Sequence, residues 1–171
     1  MNVVVRPARP EDAPALHQIL QGSFGEYQSL LKLSEPPAAL RETEDDILRA
    51  MEEQTMLLAV YNRLKSVGSI RVRRVNNDVA YISRFAVLPN WQSSGAGSAL
   101  MTEAVSLCRE QGVRAIALHT AVKMIPLARF YHGCGFYIHS VEAMPGGYRR
   151  GLFIKELEPC DDLNFDTMVL G

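Results

Sequence analysis

The chain is short of several things, and each shortage closes off a class of function. Its three cysteines, Cys108, Cys134 and Cys160, stand far apart among 171 residues. An odd, scattered set excludes a complete disulfide framework, and no two of them have zinc-ligand spacing. The four histidines, His17, His119, His132 and His139, include no pair at the HExxH spacing that sets two ligands on one helical face, so no metal is expected. No stretch approaches the ~20 consecutive apolar residues of a membrane helix. The opening MNVVVRPARPED meets Pro7 and two acids too early for a signal peptide. A cytoplasmic protein without a membrane partner is the expectation. Net charge is scarce as well: 18 Lys and Arg against 19 Asp and Glu leave −1, so no broad field recruits nucleic acid.

What remains is an ordinary globular composition, 47% hydrophobic and 22% charged, at a length that suits one domain with a cleft. Asn2 to Arg6 reads as a β-branched strand. Arg9-Pro10-Glu11-Asp12 then places a proline and two acids where a helix begins, as its dipole favours. Leu16, Ile19 and Leu20 recur at helical spacing before Gly22, where that helix is expected to end. Phe24, Tyr27, Leu30, Leu31 and Leu33 suggest a further amphipathic turn or two, closed by Pro36-Pro37. Thr43 with Asp46 resembles a capping box and opens a helix through Met51.

From Thr55 the period changes to two. MLLAVY and SVGSIRVRRV are joined by a hairpin at Asn62 to Lys65, and Asn76-Asn77-Asp78 turns the chain into VAYISRFAVLP, making an antiparallel meander. Beyond Pro89 come helix GAGSALMTEAVSLCREQ, strand VRAIALHTA, helix MIPLARFYHGC and strands FYIHSVEAM and YRRGLFIKEL. One domain over residues 1–158 and a tail over 159–171 are expected, the tail either loose or docked on a neighbour.

The segment that carries chemistry is Gln92-Ser93-Ser94-Gly95-Ala96-Gly97-Ser98, between a strand ending near Leu88 and a helix starting near Gly95. Small residues there expose main-chain N–H groups that lack intrahelical partners and align with the helix dipole, which makes a phosphate cradle. A Walker loop is excluded, because no lysine stands between Lys65 and Lys123. A dinucleotide fingerprint would need glycine at Leu100 and a parallel βαβ setting.

Gln92-x-x-Gly95-x-Gly97 after the strand YISRFAVLP resembles the acetyl-CoA-binding motif of the GCN5-related N-acetyltransferase (GNAT) family. Arg9-Pro10-Glu11-Asp12-Ala13 and Phe130-Tyr131-His132-Gly133-Cys134-Gly135-Phe136 are similar to two further hallmarks, in the family's order. The resemblance implies an α/β fold of the α+β type: a mixed, mainly antiparallel sheet of about seven strands, splayed between the fourth and fifth and flanked by about four helices. It also implies acetyl-CoA as acyl donor. The backbone of Phe85, Ala86 and Val87 would pair with the pantetheine arm, and Gln92, Ser93, Ser94, Gly95, Ala96, Gly97 and Ser98 would hold the pyrophosphate.

The implied reaction moves an acetyl group to a primary amine, most readily of a small molecule. Tyr131 is the expected general acid for the departing thiolate, and the N–H near Val87 the expected oxyanion donor. The plainer alternative is that Tyr131 only packs beside Leu127 and Phe130. The candidates for proton abstraction are His119, Glu26 or a water chain that needs neither. The position where family members carry Asn is Met124. Cys134 reads as packing. Arg71, Arg73, Arg74, Arg149 and Arg150 read as a solvated strand face or as cations for an acidic acceptor or the cofactor's 3′-phosphate. Phe24, Tyr27 and Tyr148 are candidates for the acceptor pocket. A non-catalytic acyl-CoA sensor is the alternative of another class, and the resemblance also admits a homodimer.

Overall fold

Strand-period runs along the chain assemble into one sheet. The computed structural model of the chain describes residues 2–171. Four strands, β1 (Val3–Pro7), β2 (Thr55–Tyr61), β3 (Lys65–Arg74) and β4 (Val79–Val87), form one antiparallel half; β5 (Ala115–Ala121), β6 (Tyr137–Met144) and β7 (Tyr148–Glu156) form the other. The seven stand in the order β1-β2-β3-β4-β5-β7-β6. The halves meet only at a parallel seam, Val79–Tyr81 against Ala115–Ala117, and then diverge. The expected splay between fourth and fifth strands is therefore present.

Turn chemistry sets the meander. Asn62 and Arg63 both take left-handed dihedrals (φ 49° and 61°), and the Leu64 N–H donates to the Tyr61 carbonyl at 3.0 Å. The Asn76 side-chain oxygen accepts from the N–H groups of Asp78 (2.8 Å) and Val79 (2.9 Å), folding the second turn.

Helix α1 (Ala13–Leu31) runs straight through Gly22, which corrects the expected break there. A Cβ at Gly22 would stand 3.0 Å from Leu88 Cδ2, so the glycine admits the end of β4 against the helix instead of ending it. The stop comes at Lys32, whose φ of 52° is left-handed and whose N–H returns to Gln28 and Ser29 carbonyls. A single turn, α2 (Ala38–Arg41), precedes α3 (Glu44–Glu53). The capping box at α3 is formed: Thr43 Oγ1 accepts from the Asp46 N–H at 3.2 Å, and the Asp46 carboxylate accepts from the Thr43 N–H at 2.9 Å. Thr43→Ala is expected to lower stability by about 1 kcal/mol, read as a lower urea midpoint at unchanged slope.

Two further helices, α4 (Ala96–Glu110) and α5 (Ile125–Gly133), complete the set. Both pack on one sheet face, where Leu100, Met101, Ala104 and Cys108 meet Leu57, Val72 and Ile116. On the other face α1 and α3 bury Leu16, Ile19, Leu20 and Ile47 against Met56, Leu58 and Ala86.

The tail after β7 is neither loose nor reaching elsewhere. It lies on its own sheet, burying Cys160, Phe165 and Leu170 against Val79, Tyr81, Ala115, Ala117, Leu152 and Ile154. Arg114 clasps Asp162 through two hydrogen bonds (2.6 and 3.0 Å) and donates to the Pro159 carbonyl at 2.7 Å. Arg73 holds the Leu170 carbonyl. Among the described residues no helix is long and apolar enough to cross a membrane.

Candidate active site

Where β4 and β5 part, a cleft of about 630 Å³ opens. Of the residues singled out from the sequence, it gathers Glu26, Phe85, Val87, Gln92, Ser93, Gly95, Gly97, Ser98, His119 and Tyr131 along its walls. Ser94, Ala86 and Ala96 lie behind them.

The loop that opens α4 is shaped by two left-handed residues, Ser93 (φ 68°) and Gly95 (φ 87°). Ala99 is the first residue to donate along the helix, to the Gly95 carbonyl at 3.0 Å. Of the N–H groups before it, that of Ala96 is met by Ser94 Oγ at 3.3 Å, which makes Ser94 and Ala96 the frame of the cradle. The N–H groups of Gly97 and Ser98 belong to the first turn, have no intrahelical acceptor, and sit on residues that line the cleft. At Gly97 a Cβ would come 3.3 Å from Phe85 Cζ and 3.9 Å from Phe130 Cζ, a tight fit that leaves room for little beyond a bare α-carbon where the helix ends against β4. The arrangement fits a diphosphate.

β4 diverges because it is bulged. Ser69 faces Ala86 and Arg71 faces Ser83, so Ile70 alone stands opposite Arg84 and Phe85. Arg84 takes φ 50°. The extra residue bends the strand and swings its end off β5. Leu88 donates to the Val67 carbonyl at 2.9 Å, so strand alternation turns the Val87 N–H the other way, into the split. The Val87 carbonyl accepts from Gln92 Nε2 at 3.4 Å. Ala86 does not share this open edge, contrary to the sequence expectation. Its carbonyl faces Gly68 on β3, where a Cβ would stand 3.0 Å away, and its side chain is buried on the α1 side.

Tyr131 is placed by the way α5 ends. Gly135 (φ 91°) donates to the His132 carbonyl and Phe136 to the Tyr131 carbonyl, each at 3.0 Å, which together form a Schellman stop. The apolar contact that accompanies such a stop is Tyr131 against Phe136, ring centroids 5.9 Å apart. Lys155 Nζ donates to the Cys134 carbonyl at 2.7 Å, a cation at the helix's negative end. Phe85, Phe130 and Phe153 surround the same ring at 5.7 to 6.0 Å. Burial drives the Tyr131 phenol well above the ordinary tyrosine range, so it keeps its proton throughout neutral pH.

His119 bonds through Nδ1 to the Tyr81 hydroxyl at 2.7 Å. Burial first, and then the positive charge of Arg150, push it down to about 4. Its expected part as proton acceptor is thereby weakened, since a base whose conjugate acid lies at about 4 has little pull on the proton of an alkylammonium of about 10. Glu26, on α1, accepts from Gln92 Nε2 at 3.1 Å and so stands over the Gln92–Ser98 loop. Tyr27 accepts from the Ala121 N–H at 3.0 Å and ties α1 to the end of β5.

Sequence patterning did not single out Glu42, Tyr81 or the role of Arg84. Glu42 takes two hydrogen bonds from Arg71 (2.9 and 2.5 Å) and one from Arg84 Nε (3.0 Å). Of the β3 arginines only Arg74 stays exposed: Arg71 is buried in this pair and Arg73 holds the tail. No local signal announces such a triad, because its members lie 29 and 42 residues apart.

The model described as "Acetyltransferase (GNAT) family" matches residues 14–136. Aminoglycoside N(6')-acetyltransferase type 1 of Stenotrophomonas maltophilia is 26% identical over 138 residues, 77% of this chain and 84% of that protein. The fold is shared with Ard1 from Thermoplasma volcanium (TM-score 0.77, 23% identity, 93% of this chain and 100% of the other). It is shared also with the PaiA N-acetyltransferase of Thermoplasma acidophilum in complex with coenzyme A (TM-score 0.74, 17% identity, 91% and 99%).

Proposed function

Because the chain belongs to the acetyltransferase (GNAT) family, we propose that it transfers the acetyl group of acetyl-CoA to a primary amine of a small molecule. The observation that carries this reading is one continuous cleft with an anion cradle at Gly97 and Ser98, an inward N–H at Val87 and the buried phenol of Tyr131 on its walls. Bound acetyl-CoA supplies a thioester whose C–S bond breaks as the amine's C–N bond forms, the proton lost by nitrogen balancing the one gained by sulfur.

The chain's own groups serve each need. The Val87 N–H is fixed in the sheet and meets negative charge growing on the acyl oxygen without reorganising. Tyr131 Oη holds a proton at neutral pH and gives it to the departing thiolate. Deprotonation of the ammonium falls to water at the open end of the cleft, to Glu26 or to His119, the last unprotonated at neutral pH but, held at about 4, only a weak base.

Titration calorimetry tests the cofactor: acetyl-CoA is expected to bind, while ATP and NAD give no heat. Gly97→Val is expected to weaken acetyl-CoA by about 10-fold or more, because branched carbon would fill the cradle against Phe85. Equal affinity in wild type and variant would remove the pyrophosphate from this loop. Release of free thiol with a panel of amines tests the transfer itself.

A further inference from the structure

The half of the cleft away from the phosphate loop has a lopsided charge. Its polar floor comes from Tyr81 and Arg84 on β4, His119 on β5 and Arg150 on β7. Arg84 shares the Glu42 carboxylate with Arg71, so one negative charge answers two positive ones. Of those two guanidinium groups Arg84 is the more exposed, at 27% against 7%, and it lines the cleft.

Arg150 donates through Nε to Glu142 at 2.5 Å, but Glu142 is the outer partner, 56% exposed against 25%. Both arginines therefore spend Nε on a carboxylate within the protein, and the Nη groups of a guanidinium fork remain to meet a planar anion. The Tyr81–His119 pair beside them is neutral and offers hydrogen bonds without a compensating negative charge. Glu26, the one carboxylate among the described lining residues, is engaged at the opposite end by Gln92.

We propose that Arg84 and Arg150 form an anion subsite for the amine substrate, which is an amino acid or a similar small amine bearing a carboxylate. This identification of the substrate class rests on the acetyl-transfer reading above. An amine rich in further ammonium groups meets two like charges there and is disfavoured.

The test uses amines that differ only by the carboxylate: tyrosine against tyramine, histidine against histamine, and ornithine against putrescine. Each is titrated by calorimetry into the full chain saturated with coenzyme A, and thiol release from acetyl-CoA is followed separately. In at least one pair the carboxylated member is expected to bind about 10-fold tighter or more, and Arg150→Gln is expected to abolish that preference. Arg84→Lys keeps the charge beside Glu42 and so keeps the fold, but loses the fork; it is expected to reduce the preference.

Equal or tighter binding of the decarboxylated amines, no binding in any pair, or a preference that survives Arg150→Gln in folded protein overturns the subsite. Carboxylate preference without thiol release would leave the subsite standing and remove acetyl transfer. Thiol release without carboxylate preference would do the reverse.

Discussion

Tyr131→Phe is expected to lower kcat by about 100-fold or more with little change in acetyl-CoA affinity. The substitution removes one oxygen and leaves the ring. The contacts with Phe85, Phe130, Phe136 and Phe153 and the Schellman stop at Gly135 survive, so any loss of rate belongs to the hydroxyl and not to packing. The magnitude follows from what a positioned acid contributes when the leaving group is a thiolate in a buried site. Pre-steady-state measurement of thiol release is the cleaner readout, because slow product release hides a chemical defect. Unchanged release in the variant would reduce Tyr131 to a wall residue and hand protonation of sulfur to water.

Glu42→Gln is expected to cost about 3 kcal/mol of stability. The carboxylate stands between the buried Arg71 and the half-buried Arg84, and its amide isostere would leave two guanidinium groups facing each other with no anion. Burial by itself would raise the Glu42 carboxyl, but the Arg71 hydrogen bond and the charges of Arg71 and Arg84 outweigh it and hold the group below its ordinary value. The sign of the pH effect follows. A group whose folded value is depressed contributes stability that is complete above its unfolded value, about 4.3, and is lost as pH falls through the folded one. Wild-type stability is therefore expected to fall below about pH 4.3 more steeply than that of Glu42→Gln, measured by urea denaturation across that range. Parallel pH profiles would show that the triad contributes nothing to the acid limb.

Much of this molecule could be read from local pattern. The Thr43–Asp46 box, the two Asn-led turns, the small-residue loop from Gln92 to Ser98 and the Gly135-Phe136 stop each depend on residues within a few positions of one another, where backbone chemistry decides the outcome. The break expected at Gly22 failed because its glycine answers to Leu88, a neighbour in space alone. Nothing in the β4 sequence foretold that Arg84 would take a left-handed dihedral, since arginine has no preference for it. The weak basicity of His119, caused by burial first and by Arg150 second, is likewise a product of strand order: β7 inserted beside β5 covers it and brings Arg150 to it. Periodicity assigns a side chain to a face, but the partners on that face are chosen by the topology.

A sheet that gapes along one line resembles a book whose pages are joined for only a short length of spine. The three paired residues on each side of that spine would be a poor hinge alone. The last dozen residues act as its binding: Phe165, Leu170 and Cys160 press on Val79 and Tyr81 from one cover and on Ala115, Ala117, Leu152 and Ile154 from the other. The mouth of the cleft can stand wide without the covers separating, and the strap that permits this ends against Tyr81, a residue of the cleft wall itself.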